Sequence, residues 1–584
     1  MANRAPDVPK VAPHSKAQRL LFRADAAVAN PFVAYGAVLL VQLRVIWNVW
    51  NYKDLTPYDT AGYFTRAASW AHGLHDNIVW SPLYTNYWGT ILAAVGDVYT
   101  AAMVHRIVIV LAATLLVLAL TRALLGPSLA LLVTAWWAVL PPNYNVYYEV
   151  HLFALLPILV AALLVSRSPK RGYLGSSLGV LVGATLLLRN ETLIATIIFL
   201  ITILVHEVRA RRRNEVQVTA YLRAYGIPLA IVCLLVAGTY WRSEVQGHAV
   251  RQELHVKHNL NVCQAYAFNY KQRQPARFLG NPFTDCRPLM QRTFGRPLPN
   301  AFQAATANPR AAAGFVKWNA RLLPAGLQVA LFGATSSGST PDYIPVVNHK
   351  AYTLVLSAIL LAVLAAGMAL TLLDREFWRR TLAPNAWSFL VLGTMAFTTL
   401  VVALTQRPRP EYMYPLTVGV LTLAGLCTMA LLRRFGGTRF VAAIALGSIV
   451  VLCLVVPSHY HRRPRPLHDA VIRLEIVRKA LQRPGSVLIT AGDGQDTCFY
   501  LARTIESHCT SPTWATLKAQ IAAGKSLRSV LRQAKATVVY ADQQLREEPP
   551  IARLAASPQH DDWRQVAAGT ATDGRWTILI RKIR

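Results

Sequence analysis

Ala101 to Thr121 reads AAMVHRIVIVLAATLLVLALT. It is long and apolar enough to cross a hydrocarbon core about 30 Å thick. Ten further apolar blocks accompany it, at approximately 30 to 50, 127 to 141, 150 to 166, 173 to 188, 192 to 206, 222 to 241, 350 to 373, 385 to 405, 413 to 432 and 440 to 456. The chain is 54% hydrophobic and only 15% charged, and a soluble core has no need of such blocks. In hydrocarbon every segment must satisfy its own backbone hydrogen bonds, so each block is predicted as a helix. The expected fold is a polytopic α-helical membrane protein of about eleven transmembrane helices.

Lys and Arg collect in alternate connections. They occur in the N-terminal arm (Arg4, Lys10, Lys16, Arg19, Arg23), at Arg122, at Arg167 to Arg171, at Arg209 to Arg213, at Arg375 to Arg380 and at Arg433 to Arg439. By the positive-inside rule these connections and the N-terminus are cytoplasmic, which places the C-terminal tail outside. The apolar block at 30 to 50 has the length of a retained anchor, and no small-residue cleavage site follows it. The setting this implies is a plasma membrane, the inner membrane of a bacterium. Much of the net charge of +32 is accounted for by topology and by attraction to anionic lipid headgroups, so no nucleic-acid partner is expected.

Five parts follow from this pattern. Residues 1–29 form a basic arm, 30–241 a seven-helix unit that includes an external loop at 51–100, 242–349 a second large external loop, 350–456 four more helices and 457–584 a soluble domain. Apolar β-like runs at Ser486 to Ala491, Ala536 to Ala541 and Trp576 to Ile583 flank an amphipathic stretch from Trp514 to Ala534, which predicts a small α/β unit. Cys263 and Cys286 share the second loop, and Cys498 and Cys509 share the tail. Two pairs on the outer side suggest disulfides, with unpaired thiols as the alternative.

The loop at 51–100 is polar, aromatic and acidic, with Asp59, Tyr63, Trp70, Trp80, Tyr84, Tyr87 and Trp88. Loops of this length are functional or disordered, and this one is too aromatic for disorder. Asp59, Tyr63 and Arg66 fall along one face of a helical rhythm. Glu149 lies at the outer mouth of the block at 150 to 166. Arg189, Asn190 and Glu191 lie at an outer junction, and Arg407, Arg409, Glu411, Tyr412 and Tyr414 occupy another outer turn. Carboxylates and guanidinium groups on one membrane face have the chemistry to deprotonate a hydroxyl, ligate a divalent cation and neutralise a phosphate leaving group. Each feature also has a plainer reading. A lone loop carboxylate is more often a helix cap, Glu149 and Glu191 fit as N-terminal helix charges worth roughly 0.3 to 1 kcal/mol, and Trp and Tyr belong to an interfacial belt.

The order Asp59, Gly62, Tyr63, Ala67, Gly73, Trp80, Pro82, Leu83, Tyr84, Tyr87, Trp88, Gly89 resembles the first external loop of the GT-C glycosyltransferases, of the aminoarabinose-transferase and protein-mannosyltransferase type. Tyr148-Glu149 is similar to their second acidic motif, Leu188 to Glu191 to their Arg-Pro-Glu helix start, and Tyr412-Met413-Tyr414-Pro415 to a late Arg-Tyr-Pro motif. The likeness covers about the first 240 residues and the turn near 410. It implies a GT-C-like catalytic module at 30–241 that moves a sugar from a polyprenyl-phosphate donor to a glycolipid, polysaccharide or protein acceptor with inversion. Asp59 and Glu149 would be catalytic, and Arg189 and Arg409 would hold the donor phosphate. Tyr63, Tyr84, Glu191, Glu411 and Tyr412 would contact the sugar or acceptor, and a divalent cation, Mg or Mn, is the candidate cofactor. Two departures from the pattern stand out: Asn190 replaces the expected proline, and Thr60 follows Asp59 where a second acid is usual, and one carboxylate fewer weakens a hard-cation site. The alternative is a transporter or flippase of lipid-linked glycans, which would place ionisable groups near the bilayer midplane. A nonenzymatic scaffold is a third reading.

Overall fold

The computed structural model describes residues 16–49, 59–71, 78–96, 98–144, 149–166, 170–211, 218–245, 250–283, 285–333, 349–436, 440–456, 476–477, 487–490, 514–558, 562–571 and 574–582. Cys498 and Cys509 lie outside these residues. Helices occupy all eleven apolar blocks. The chain begins with α1 (Lys16–Ala29) and α2 (Pro31–Val45), followed by α3 (Asp59–Ala71) and α4 (Pro82–Val95) in the first long loop. Next come α5 (Val98–Leu124), α6 (Pro127–Ala138), α7 (Glu149–Leu164), α8 (Arg171–Leu187), α9 (Leu193–Arg211), α10 (Val218–Tyr221) and α11 (Ile227–Val245). Among the described residues six helical stretches are long and apolar enough to cross a membrane. A seventh is added if Phe22–Ala29 and Pro31–Val45, bent by 82°, are one broken span. Pro127–Ala138, Glu149–Leu164 and Val441–Val455 are apolar but shorter.

Local chemistry sets the breaks. Asn30 caps α2 by accepting the Phe32 N–H at 2.9 Å, and Pro31 takes the first helical position, where no N–H partner is needed. The carbonyls left open at the end of α1 are met by Arg122, which donates to Val28 O at 3.0 Å and Ala29 O at 2.9 Å. Within the bundle α8 meets α11 along Gly175, Gly179 and Gly183. A Cβ at Gly175 would lie 1.8 Å from Ala224 O in the turn before α11, which only glycine permits, and one at Gly179 would sit tightly, 3.2 Å from Pro228 Cβ.

The polar residues separate by end. Arg122 lies in the last turn of α5, Arg171 opens α8, and Arg209 and Arg211 close α9. Arg433 and Arg434 close α19 (Tyr414–Phe435). Glu149 opens α7, Arg189 follows α8, Glu191 precedes α9, and Arg409 and Glu411 lie between α18 (Ala386–Thr405) and α19. The acidic and basic candidates therefore sit at the opposite end of the bundle from Arg122, Arg171, Arg209, Arg211, Arg433 and Arg434.

Residues 250–332 fold over that acidic end as α12 (Val250–Arg273), α13 (Cys286–Phe294), α14 (Ala301–Ala307) and α15 (Pro309–Phe332). Cys263 and Cys286 form the expected disulfide, joining α12 to α13. Two contacts dock this unit on the bundle. Asn269 donates to Asn319, which donates in turn to Leu404 O at 2.7 Å and Gln406 O at 3.1 Å, and the Arg407 guanidinium lies 4.0 Å over the Phe268 ring. The remaining apolar helices are α16 (Ala351–Leu373), the short α17 (Arg375–Phe377) and α20 (Val441–Val455).

The tail contains a four-stranded sheet of β1 (Leu488–Ile489), β2 (Val538–Ala541), β3 (Trp563–Ala571) and β4 (Gly574–Arg581), in the order β1-β2-β4-β3. β1 and β2 are parallel, and the other pairings are antiparallel. The single helix expected from Trp514 to Ala534 is two helices, Trp514–Ala522 and Leu527–Gln533. Gly524, at φ +88°, turns the chain, and Ser526 caps the second helix. β3 was not expected from the sequence.

Removing the disulfide frees a loop whose ends are 23 residues apart. Replacing Cys263 and Cys286 with Ser is expected to lower stability by about 2–4 kcal/mol. Thermal unfolding of the oxidised protein and the variant measures it, and an unchanged midpoint contradicts it.

Candidate active site

Tight packing of the first loop builds one wall. Gly89 lets α4 lie against α3, since a Cβ there would come 2.5 Å from Ala67 O, and Gly62 admits the Trp80 ring, 3.3 Å from where its Cβ would be. Trp80 is held between two cations, Arg66 at 4.2 Å and Lys257 of α12 at 4.0 Å. Lys257 also donates to Val79 O at 2.9 Å. Ser81 takes φ 55°, a left-handed conformation uncommon for serine, and its hydroxyl donates to Leu188 O at 2.8 Å. That bond ties the loop to the residue before Arg189.

The wall borders an open cleft. Tyr63, Trp80 and Ser81 line it from the loop, and His151 lines it from α7. Arg189, Asn190 and Glu191 come from the α8–α9 junction, Tyr240 from α11, Lys257, His258 and Asn261 from α12, and Gln406, Arg409 and Tyr412 from the α18–α19 turn. A second groove shares His151, Arg189, Glu191 and Tyr412 with the cleft and continues between α7 and α18 along Ala154, Leu155, Ile158, Met395 and Val402. A polar chamber thus opens into an apolar channel.

Tyr412 stands at the junction. Its hydroxyl accepts from Arg409 Nη1 at 3.1 Å, the Arg409 and Arg189 guanidinium groups lie 4.9 Å and 5.8 Å from its ring, and the His151 ring lies 4.8 Å away. Arg189 pairs with Glu191 at 2.5 Å, and Arg409 pairs with Glu411. The two junctions share a local design: Arg189-Asn190-Glu191 and Arg409-Pro410-Glu411 each carry Arg and Glu two residues apart, and a 3-10 turn leads each into a long helix. The Arg-Pro-Glu at 409–411 was not singled out in the sequence, where it stands beside the Tyr-Pro at 414–415.

Several predicted residues lie elsewhere. Glu149 does not line the cleft. It is buried behind the wall and pairs at 2.6 Å with Arg106, a cation in the first third of α5. Arg106 was missed, although an ionisable residue inside an apolar span is itself a functional signal. Tyr84 is also buried, with its ring 5.4 Å from Tyr63 and 5.5 Å from Phe153. Burial, and then the Glu149 charge, hold its phenol well above the ordinary range, so it stays protonated at neutral pH. Glu411 is buried beside Arg409 and lines the groove, not the cleft. Asp59 opens α3, one helical turn before Tyr63, and its side chain lies outside the described residues. Lys257, His258, Asn261 and Tyr240 carried no motif. Among the described residues no three His, Cys, Asp or Glu side chains group as a metal site. Glu149, Glu191 and Glu411 each face an arginine, a donor set that does not fit a hard cation.

No family model matches the sequence, and no curated protein matches it. Among solved structures, the apo oligosaccharyltransferase of Archaeoglobus fulgidus is similar at 13% identity and a TM-score of 0.38, over 89% of this chain and 69% of that one. The archaeal oligosaccharyltransferase AglB from the same organism, in complex with an inhibitory peptide and a dolichol-phosphate, gives 12% and 0.39 over 90% and 70%. ArnT from Cupriavidus metallidurans, bound to undecaprenyl phosphate, gives 13% and 0.38 over 96% and 98%. Likenesses at this level identify no site residue and no substrate of this chain.

Arg106→Leu leaves Glu149 buried without its guanidinium and is expected to cost about 3–5 kcal/mol, whereas Arg106→Leu combined with Glu149→Leu recovers most of that loss. Thermal unfolding of the two variants checks it. Equal destabilisation in both would remove the pair from its structural role.

Proposed function

We propose that the protein transfers a sugar from a polyprenyl-phosphate donor to an acceptor hydroxyl outside the cytoplasm, with inversion at the anomeric carbon. The supporting observation is the junction at Tyr412, where two guanidinium groups meet the mouth of an apolar groove. A phosphate at the head of a long hydrocarbon chain has the matching form, with its charge beside Arg189 and Arg409 and its tail between α7 and α18. A lipid-linked donor also suits a site on the exported face, where charged nucleotide sugars are not at hand. The reading places the protein in a bacterial inner membrane with the basic helix ends cytoplasmic, in accord with their separation from the site.

In the proposed step the acceptor oxygen attacks the anomeric carbon, and its proton passes to the Asp59 carboxylate. The bond from that carbon to the phosphate oxygen breaks with its electron pair leaving on the phosphate. Arg189 and Arg409 bear the added negative charge, each giving up part of its interaction with Glu191 or Glu411. Tyr63 and Tyr412 flank the reacting sugar, and Glu149 acts through Arg106 by holding α5 against α7. No step is routed through a metal ion.

Purified protein incubated with a panel of radiolabelled polyprenyl-phosphate sugars and an envelope glycan extract is expected to yield labelled acceptor. Asp59→Asn should lower the rate by about 10²–10⁴-fold while leaving membrane expression intact. Full activity in Asp59→Asn removes the base from this mechanism, and absence of product from every donor with folded protein contradicts the transfer reading.

A further inference from the structure

Residues 250–332 carry eleven Lys and Arg against two carboxylates, Glu253 and Asp285. This excess lies at the same end of the bundle as the cleft, so the rule that gathers cations on the cytoplasmic side does not account for it. Its most ordered part is on α15, a helix with no Asp or Glu. Arg310, Lys317 and Arg321 are all exposed, and at 100° per residue they fall within about 40° of one another around the axis, along about 16 Å of helix. A fourth cation completes the row. At Gly314, on the same face between Arg310 and Lys317, a Cβ would lie 3.2 Å from Arg273 Nη1, so the missing side chain leaves room for the α12 guanidinium to lie against α15. Arg273 is anchored there by its Nε, which donates to Asn269 O at 3.4 Å. No carboxylate of a described residue pairs with any of the four.

Helix stability does not explain the row. Arg310 is the second residue of α15, where the helix dipole disfavours a cation by roughly 0.3–1 kcal/mol. An aromatic flanks the row: Trp318 lies within 5.7 Å of the Arg321 guanidinium and is fixed by donating from Nε1 to Gln272 Oε1 at 3.1 Å. The helix that carries the row also borders the cleft, because Asn319 on its opposite face donates to the carbonyl of Gln406, which lines it. A straight file of cations beside a fixed indole matches a linear chain of sugars bearing regular negative charges, which offers ring faces for stacking and carboxylates for the guanidinium groups.

We propose that the α15 face, Arg310, Arg273, Lys317 and Arg321 with Trp318, docks an acidic polysaccharide on the helix that borders the cleft; its role as acceptor rests on the transfer reading above. The docking is tested without any transfer assay. Full-length protein in nanodiscs of zwitterionic lipid is titrated with oligogalacturonate and, separately, with a neutral malto-oligosaccharide of equal length. Saturable binding of the acidic probe only is expected, weakened at least tenfold in the Arg310→Gln/Lys317→Gln/Arg321→Gln variant and unchanged in Arg528→Gln/Arg532→Gln of the tail. Gly314→Glu, which sets a carboxylate beside Arg273, should weaken binding in the same sense with an unchanged unfolding midpoint. The proposal is overturned by absent binding, by equal losses in the row and tail variants, or by no loss in the row variant. It is also overturned if the row variant lowers only affinity for vesicles containing 30% phosphatidylglycerol, since the row would then face lipid headgroups. Acidic-probe binding with no sugar transfer from any donor leaves the docking face standing and removes only its link to catalysis.

Discussion

A guanidinium taken out of water needs compensation, and at one end of this bundle Arg106, Arg189 and Arg409 each lie against a glutamate while the buried Arg407 lies over the Phe268 ring. Arg106 with Glu149, Arg189 with Glu191 and Arg409 with Glu411 are the constraint on which the site depends. The first pair joins α5 to α7, so removing either partner strands a charge between two helices. The other two are local, formed within turns that start α9 and α19. They hold both guanidinium groups close to Tyr412 without a rigid cross-link between helices. Charges balanced in this way are tolerable in a partly buried site.

The surrounding architecture serves that arrangement. Glycines at 62 and 89 let α3, α4 and Trp80 pack into a thin wall, and the Ser81 hydroxyl secures the wall to the end of α8. Above it α12 contributes Lys257 and Asn261 to the cleft, and through Phe268 and Asn269 it grips the turn that carries Arg407 and Arg409. The disulfide at Cys263 lies between these two sets of contacts on the same helix. Membrane bundle and outer helices therefore share one site.

Much of this was legible in the sequence because hydrocarbon permits few solutions. Apolar blocks had to be helices, and the alternation of basic connections separated one end from the other before any coordinates. The positions of Tyr63, Arg189, Glu191, Arg409 and Tyr412 around one cleft follow from that separation. What escaped has physical reasons. Arg106 was hidden in a segment otherwise so apolar that its single charge did not alter the reading. Lys257, Asn261 and Tyr240 reach the cleft only through the tertiary fold of α11 and α12, which no local pattern encodes. Glu149 was placed at the right end of the bundle, but sequence gives no depth, and burial behind the wall depends on its partner from α5. In the tail, Asp573-Gly574 was a turn signal ahead of β4, yet β3 has weak alternation and a bulge between Gln565 and Ala567, which blurs a period of two.

The central claim is that a lipid phosphate sits at Tyr412 with its chain between α7 and α18. Photolabelling with a polyprenyl phosphate bearing a diazirine near its phosphate, followed by peptide mapping, tests it most directly. The account predicts label on peptides containing His151 and residues 406–415, suppressed by unlabelled polyprenyl phosphate. Competable label at the opposite end of the bundle, around Arg209 and Arg211, or in the tail would contradict it.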